Sequence, residues 1–183
     1  MSPAVDDLNK TEKTIRHTLD GFSYVLVPAP LYQEKDKEKY LDFLGLTDDK
    51  GVVCVDYIEI ADIYNVYRAE SENKVARHAT SVLLENIIKE NTERTDDARV
   101  YLNVKDQRFE MFILEGAKLL LYNTFRFKTK EDFLYFLLFS MEQLHLETET
   151  TPVYFLGMIE KDSQIVELVS RYIRDVRFKK EQL

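Results

Sequence analysis

Between Tyr101 and Phe125 the chain reads YLNVKDQRFEMFILEGAKLLLYNTF. Three runs rich in aliphatic and aromatic residues are separated by KDQ and by Glu115-Gly116. Links this short force neighbouring runs to pair antiparallel, because a parallel pair needs a crossover of a dozen or more residues. A three-strand meander is therefore the first commitment of this chain, and whatever flanks it must cover its faces. Its first turn, read here as Asn103, Val104, Lys105 and Asp106, is the natural place to look for chemistry.

The flanks follow in order. Thr129-Lys130-Glu131-Asp132 has the form of a capping box and opens a helix through Leu144. That helix is apolar nearly all round and is expected to be covered on several sides. PVYFLG predicts a strand. DSQIVELVSRYI predicts a helix with Ile165, Leu168, Val169, Tyr172 and Ile173 inward, and DVRF predicts a closing strand. The order strand, strand, strand, helix, strand, helix, strand builds an α/β mixed sheet with right-handed crossovers. It is the order of a ribonuclease H-like half, the unit that actin-like ATPases double.

The first half is less regular. Apolar runs flank Asp20-Gly21, a strong hairpin signal, and Pro28 and Pro30 end the second run. KDKEKYLDFLGL predicts a helix with Gly45 as its stop. GVVCVDY and IADIYNVYRA predict strands, with a short one in KVARHA. TSVLLENIIKEN predicts a helix burying Val82, Leu83, Ile87 and Ile88. The polar stretch NTERTDDA then marks a boundary between lobes.

Bulk properties exclude several classes of function. In 183 residues, 45% are apolar and 32% charged, a globular balance. A net charge of −8 argues against nucleic acid and anionic membranes as partners. Five glycines are few for phosphate-cradling loops. The single cysteine, Cys54, makes no intrachain disulfide and reads as a small core hydrophobe in a reducing compartment. The start MSPAVDDLNKTEK lacks the order of a signal peptide, and the longest apolar run, FLYFLLFSM, is far short of the ~20 residues that span a bilayer. Together these predict a cytoplasmic protein without membrane insertion.

Four segments carry a family resemblance: SYVLVPAPLYQEKDKEKYL, IYNVYR, the run from VYLNVKDQRFEMF to FLLFSMEQL, and VYFLGMIEKDSQIVELVSRYIRDVRF. They resemble an uncharacterised bacterial family of unknown function with an actin-like ATPase fold. The resemblance implies two lobes, with the first abbreviated because AESEN is too short for a crossover helix. The expected division is a tail over residues 1–13, an abbreviated lobe over 14–95 and a ribonuclease H-like lobe over 96–183.

The resemblance also implies where nucleotide would sit. Actin-like ATPases place an Asp-x-Gly hairpin from each lobe around the phosphates, the acid handling magnesium and the glycine admitting backbone N–H groups. Here Asn103 stands for the acid and Lys105 for the glycine. Asp20-Gly21 has the wrong spacing, and a Gly-Gly pair under adenosine is reduced to Gly157-Met158. Micromolar binding needs about 8 kcal/mol, and each lost charge-assisted hydrogen bond removes roughly 1.5–3 kcal/mol. The reading is a degenerate site, with Asn103, Lys105 and Gly157 as vestigial phosphate and adenosine positions. No ATP, magnesium or other cofactor is expected. Function then falls to a non-enzymatic protein-binding or scaffolding role, self-association being one form of it. The alternative is a weak nucleotide-binding protein or ATPase in which Lys105 acts as a point charge for phosphate.

Other features carry less. A two-metal nuclease needs converging carboxylates, but the first strand offers Asn103 and the fourth strand offers no acid before Glu160. His17, His78 and His145 are dispersed. The basic stretch RYIRDVRFKK reads as a solvated helix end and last strand. Tyr122, Phe125 and Phe127, alternating with Asn123, Thr124 and Arg126 on an outer strand, are the expected exposed aromatic patch of a protein contact.

Overall fold

The structure is a computed structural model, and it describes residues 18–19, 24–45, 51–70, 76–92 and 97–179. The expected N-terminal tail and the Asp20-Gly21 turn lie outside the described residues, as do parts of AESEN and NTERTDDA. The chain divides into two compact units. One comprises residues 1–57 and 63–82, the other residues 58–62 and 83–183.

In the first unit, β1 (Thr18–Leu19) pairs parallel with β5 (Arg77–His78). A separate sheet has the order β2-β4-β3, from Tyr24–Pro28, Ile63–Ala69 and Val52–Ile58. Helix α1 (Lys37–Phe43) packs Leu41 against Val27, Val53 and Val66. It stops at Gly45, whose φ of +71° is the left-handed conformation that ends helices. Cys54 is half-buried rather than core, because β3 is the outermost strand of its sheet. Helix α2 (Ala79–Asn91) follows β5 and buries Val82, Leu83, Ile87 and Ile88 as its spacing predicts.

The second unit is the ribonuclease H-like half. Strands β6 (Ala98–Lys105), β7 (Arg108–Glu115) and β8 (Lys118–Arg126) form the meander. Helix α3 (Lys130–Gln143), β9 (Val153–Gly157), α4 (Gln164–Val169) and β10 (Val176–Phe178) complete it. The sheet order is β10-β9-β6-β7-β8, with β9 parallel to β6 and to β10. Strand alternation then sorts the side chains. Val100, Leu102, Val104, Phe109, Met111, Ile113, Val153 and Phe155 join one core cluster with Phe133, Leu137 and Met141 of α3 and Val166 and Val169 of α4. The opposite face carries Tyr101, Asn103, Glu110, Phe112 and Tyr154, and Asn91 of α2 donates to the Tyr101 hydroxyl at 2.8 Å.

Three expectations change at the surface. Helix α4 ends at Val169, and Tyr172 beyond it is exposed while Ile173 turns inward. Helix α3 is not covered all round: Phe133, Leu134, Leu137 and Met141 face the core, but Tyr135 and Phe139 face outward. Phe125 on the outer strand β8 and Phe127 just past its end are half-buried, not an exposed patch, because they pack on Phe136 and Phe133 respectively.

Candidate functional site

The β6–β7 ladder runs without interruption to the pair Lys105–Arg108. The turn is therefore Asp106-Gln107 alone, with Asp106 at φ +26°. Asn103 and Lys105, read from sequence as turn residues, are strand residues. Two positions apart, they point to the same face of the sheet, away from the α3 core. The hairpin closes in two residues because a short polar aspartate tolerates positive φ better than most side chains.

That face brings the three candidate residues together. Register places Gly157 opposite Val104 and Leu156 opposite Asn103 across the β6–β9 pair. Gly157 has φ +78°, and a Cβ added there would lie 2.4 Å from both Asn103 Oδ1 and the Val104 carbonyl oxygen. The Met158 N–H donates to that same Val104 carbonyl at 2.7 Å. Gly157 is thus a packing requirement: the Val104 backbone and the Asn103 amide side chain occupy the space a methyl group would need.

The centre of the cluster is a residue that the sequence reading passed over. Glu110, paired with Asn103 across the β6–β7 ladder, is 1% exposed. Asn103, 2% exposed, donates from Nδ2 to Glu110 Oε2 at 2.7 Å. Lys105 Nζ lies 3.6 Å from the same oxygen, its side chain 17% exposed. The Tyr122 hydroxyl reaches Glu110 Oε1 at 3.4 Å and shares a 3.2 Å contact with Thr124 Oγ1. Asn103 Oδ1 is buried with no hydrogen-bond partner among the described residues. A buried carboxylate needs charge and hydrogen-bond partners, and Glu110 finds both on its own sheet face. The signal was present in sequence: counting outward from a two-residue turn puts Glu110 opposite Asn103, the one acid between Phe109 and Met111.

Of the three histidines, His17 lies outside the described residues, and His78 settles into a structural role. The His78 Nδ1 accepts from the Thr80 N–H at 3.2 Å at the start of α2, and the His78 N–H donates to Asp56. Of the basic stretch, Arg171 pairs with Glu167, Arg174 with Glu149, Arg177 with Asp175 and Lys179 with Glu90. No group of three or more His, Cys, Asp or Glu side chains at metal-holding geometry occurs among the described residues. No helix among them is long and apolar enough to cross a membrane.

The model of a family described as "Protein of unknown function (DUF3822)" matches residues 4–176. No curated protein matches the chain. Among solved structures, a Bacteroides thetaiotaomicron protein with actin-like ATPase fold and unknown function is similar at a TM-score of 0.76 and 16% identity. The match covers 87% of this chain and 66% of that one. A chain of the PilM-PilN type IV pilus biogenesis complex is similar at a TM-score of 0.51 and 12% identity, covering 85% of this chain and 65% of that one. The chain therefore spans just under two thirds of either neighbour's length. At these identities the likeness speaks for fold, and the fold is that of actin-like ATPases.

Proposed function

The chain belongs to the DUF3822 family, and from that premise we propose that it is a non-enzymatic protein-binding or scaffolding protein of the bacterial cytoplasm, built on an actin-like frame whose nucleotide site is degenerate. The observation that carries this reading is the closed cluster of Asn103, Lys105 and Glu110. A nucleotide site at this hairpin would have to present positive charge to the phosphates and a carboxylate to magnesium. Here the one lysine already faces Glu110, and the Asn103 amide donates to that same carboxylate.

An entering phosphate would meet the Glu110 anion. The Lys105–Glu110 pair is neutral as a whole, so it offers a phosphate no net positive charge, and the phosphate would have to compete with Glu110 for the lysine. The residues present do not fit ATP with magnesium. That a chain of the same fold occurs in a complex of pilus biogenesis proteins supports a protein as the partner.

A melting scan with ATP and magnesium tests the reading. Ligand at 100 times its dissociation constant adds about 2.7 kcal/mol of stability. No shift is expected at millimolar nucleotide. A saturable rise abolished by Lys105→Met would overturn the proposal and restore a nucleotide-binding role.

A further inference from the structure

Tyr135 and Phe139 lie one turn apart on the outward side of α3, 61% and 46% exposed, with their rings stacked at 5.8 Å and 18°. Beside Phe139, Leu138 forms one wall of a cavity of about 400 Å³ at the C-terminal end of α3. Met141 and Leu146 supply its other apolar walls, and Glu142, His145 and Glu147 its polar ones. The aromatic ridge and the cavity are thus continuous through Leu138.

Two acids, Glu142 and Glu147, line the cavity, and a third flanks the ridge. Glu131 precedes Tyr135 by one turn, Glu142 follows Phe139, and Glu147 stands across the cavity. None of the three has a side-chain ion pair or hydrogen bond among the described residues. The last turn of α3 holds no basic residue, so the negative end of the helix dipole adds to theirs. Lys130, at the start of the helix, bonds Gln164. The cation across from Glu149 is Arg174.

We propose that this surface docks a basic amphipathic helix of a partner protein. Apolar side chains of that helix cover Tyr135 and Phe139, and a Lys or Arg enters the cavity between Glu142 and Glu147, its aliphatic stem against Leu138, Met141 and Leu146. Charge complementarity selects the occupant. The basic stretch of a second copy of this chain is a poorer match than a separate basic helix, because Arg171, Arg174, Arg177 and Lys179 are each paired with an acid of their own chain. The proposal rests on the protein-binding reading above and gives it a location.

The test uses the full chain with labelled methyl groups and two synthetic peptides of about twenty-five residues, past the length at which isolated helices are marginal. One alternates Leu and Lys at amphipathic spacing; the other replaces each Lys with Glu. The expected result is saturable shifts at the Leu138, Met141 and Leu146 methyls with the Leu/Lys peptide and none with the Leu/Glu peptide. Phe139→Ser weakens binding by about tenfold or more. Joint replacement Glu142→Gln and Glu147→Gln weakens it and flattens its salt dependence. Three results overturn the proposal: shifts spread over other acidic surfaces, equal binding of both peptides, or self-association that Phe139→Ser abolishes. All three substituted side chains are exposed, and unchanged melting of the variants confirms that the fold is intact. No nucleotide is present, so failure here leaves the degenerate-site reading standing. A melting shift with ATP would overturn that reading without moving these methyl signals.

Discussion

Gly157 and Asn103 are in contact across two parallel strands: a Cβ on the glycine would stand 2.4 Å from the asparagine Oδ1. The relationship changes what Gly157 means. Read from sequence, it is a survivor of an adenosine-binding pair; in the structure it is held in place by the protein itself. Gly157→Ala adds a methyl against the Val104 carbonyl at a φ of +78°. The expected loss is roughly 2–4 kcal/mol, combining left-handed strain with overpacking. Urea denaturation measures it, and an unchanged midpoint would return the glycine to a ligand role.

Glu110 should matter more than any of the residues around it. Glu110→Ala strips Lys105 and the Asn103 amide of a buried carboxylate, and breaking a buried pair from one side costs roughly 3–5 kcal/mol. Adding Lys105→Met to that variant should recover part of the loss, since the uncompensated cation goes too. A double-mutant cycle in chemical denaturation reads the coupling. Strictly additive losses would mean that the two charges ignore one another.

Two phenylalanines of α3 make a matched contrast. Phe133 is fully buried against Phe109, Phe127 and Phe155, while Phe139 faces solvent. Phe133→Ala is expected to cost roughly 3–5 kcal/mol. Phe139→Ser should stay within about 0.5 kcal/mol. Similar losses at both sites would mean that the outward side of α3 is covered after all.

The start of the same helix is pH-sensitive in a defined direction. Backbone N–H groups of Lys128 and Thr129 donate to Asp132 and hold its carboxyl below the usual range. A depressed carboxyl contributes stability that is present above its unfolded pKa and is lost as pH falls through the folded value. Asp132→Asn should therefore be less stable than the parent chain at neutral pH, and the gap should close as pH drops below the ordinary carboxylate range. Thr129→Ala, removing the other half of the capping box, should cost about 1 kcal/mol. Thermal melts across pH check both.

The second half of the chain was legible because its links are short. Two turns and a capping box leave one antiparallel meander and one helix start, and parallel crossovers then dictate sheet order. Asn103, Lys105 and Gly157 were brought together by that topology alone. Glu110 was missed because a lone acid in RFEMFIL reads as a solvent-facing strand residue until register places it against Asn103. The apolarity of DFLYFLLF overstated burial for a different reason. Composition cannot say which side of a helix has a neighbour, and the outward side of α3 keeps Tyr135 and Phe139 in water. At the end of β8 the error was reversed: Phe125 and, just beyond the strand, Phe127 found partners on α3 that a strand-by-strand reading cannot see.

The central strand has a further consequence for how the chain is made. β6 pairs at once with β7, but its parallel partner β9 lies roughly fifty residues downstream. At a synthesis rate of about 5–20 residues per second, a nascent meander waits several seconds on the ribosome with one flank bare. During that interval Glu110 and Lys105 are already in the chain, whereas Gly157 has not yet been added. Whatever shields the naked flank of β6 in those seconds, a chaperone or the preceding helix, decides how much of this protein reaches its folded state.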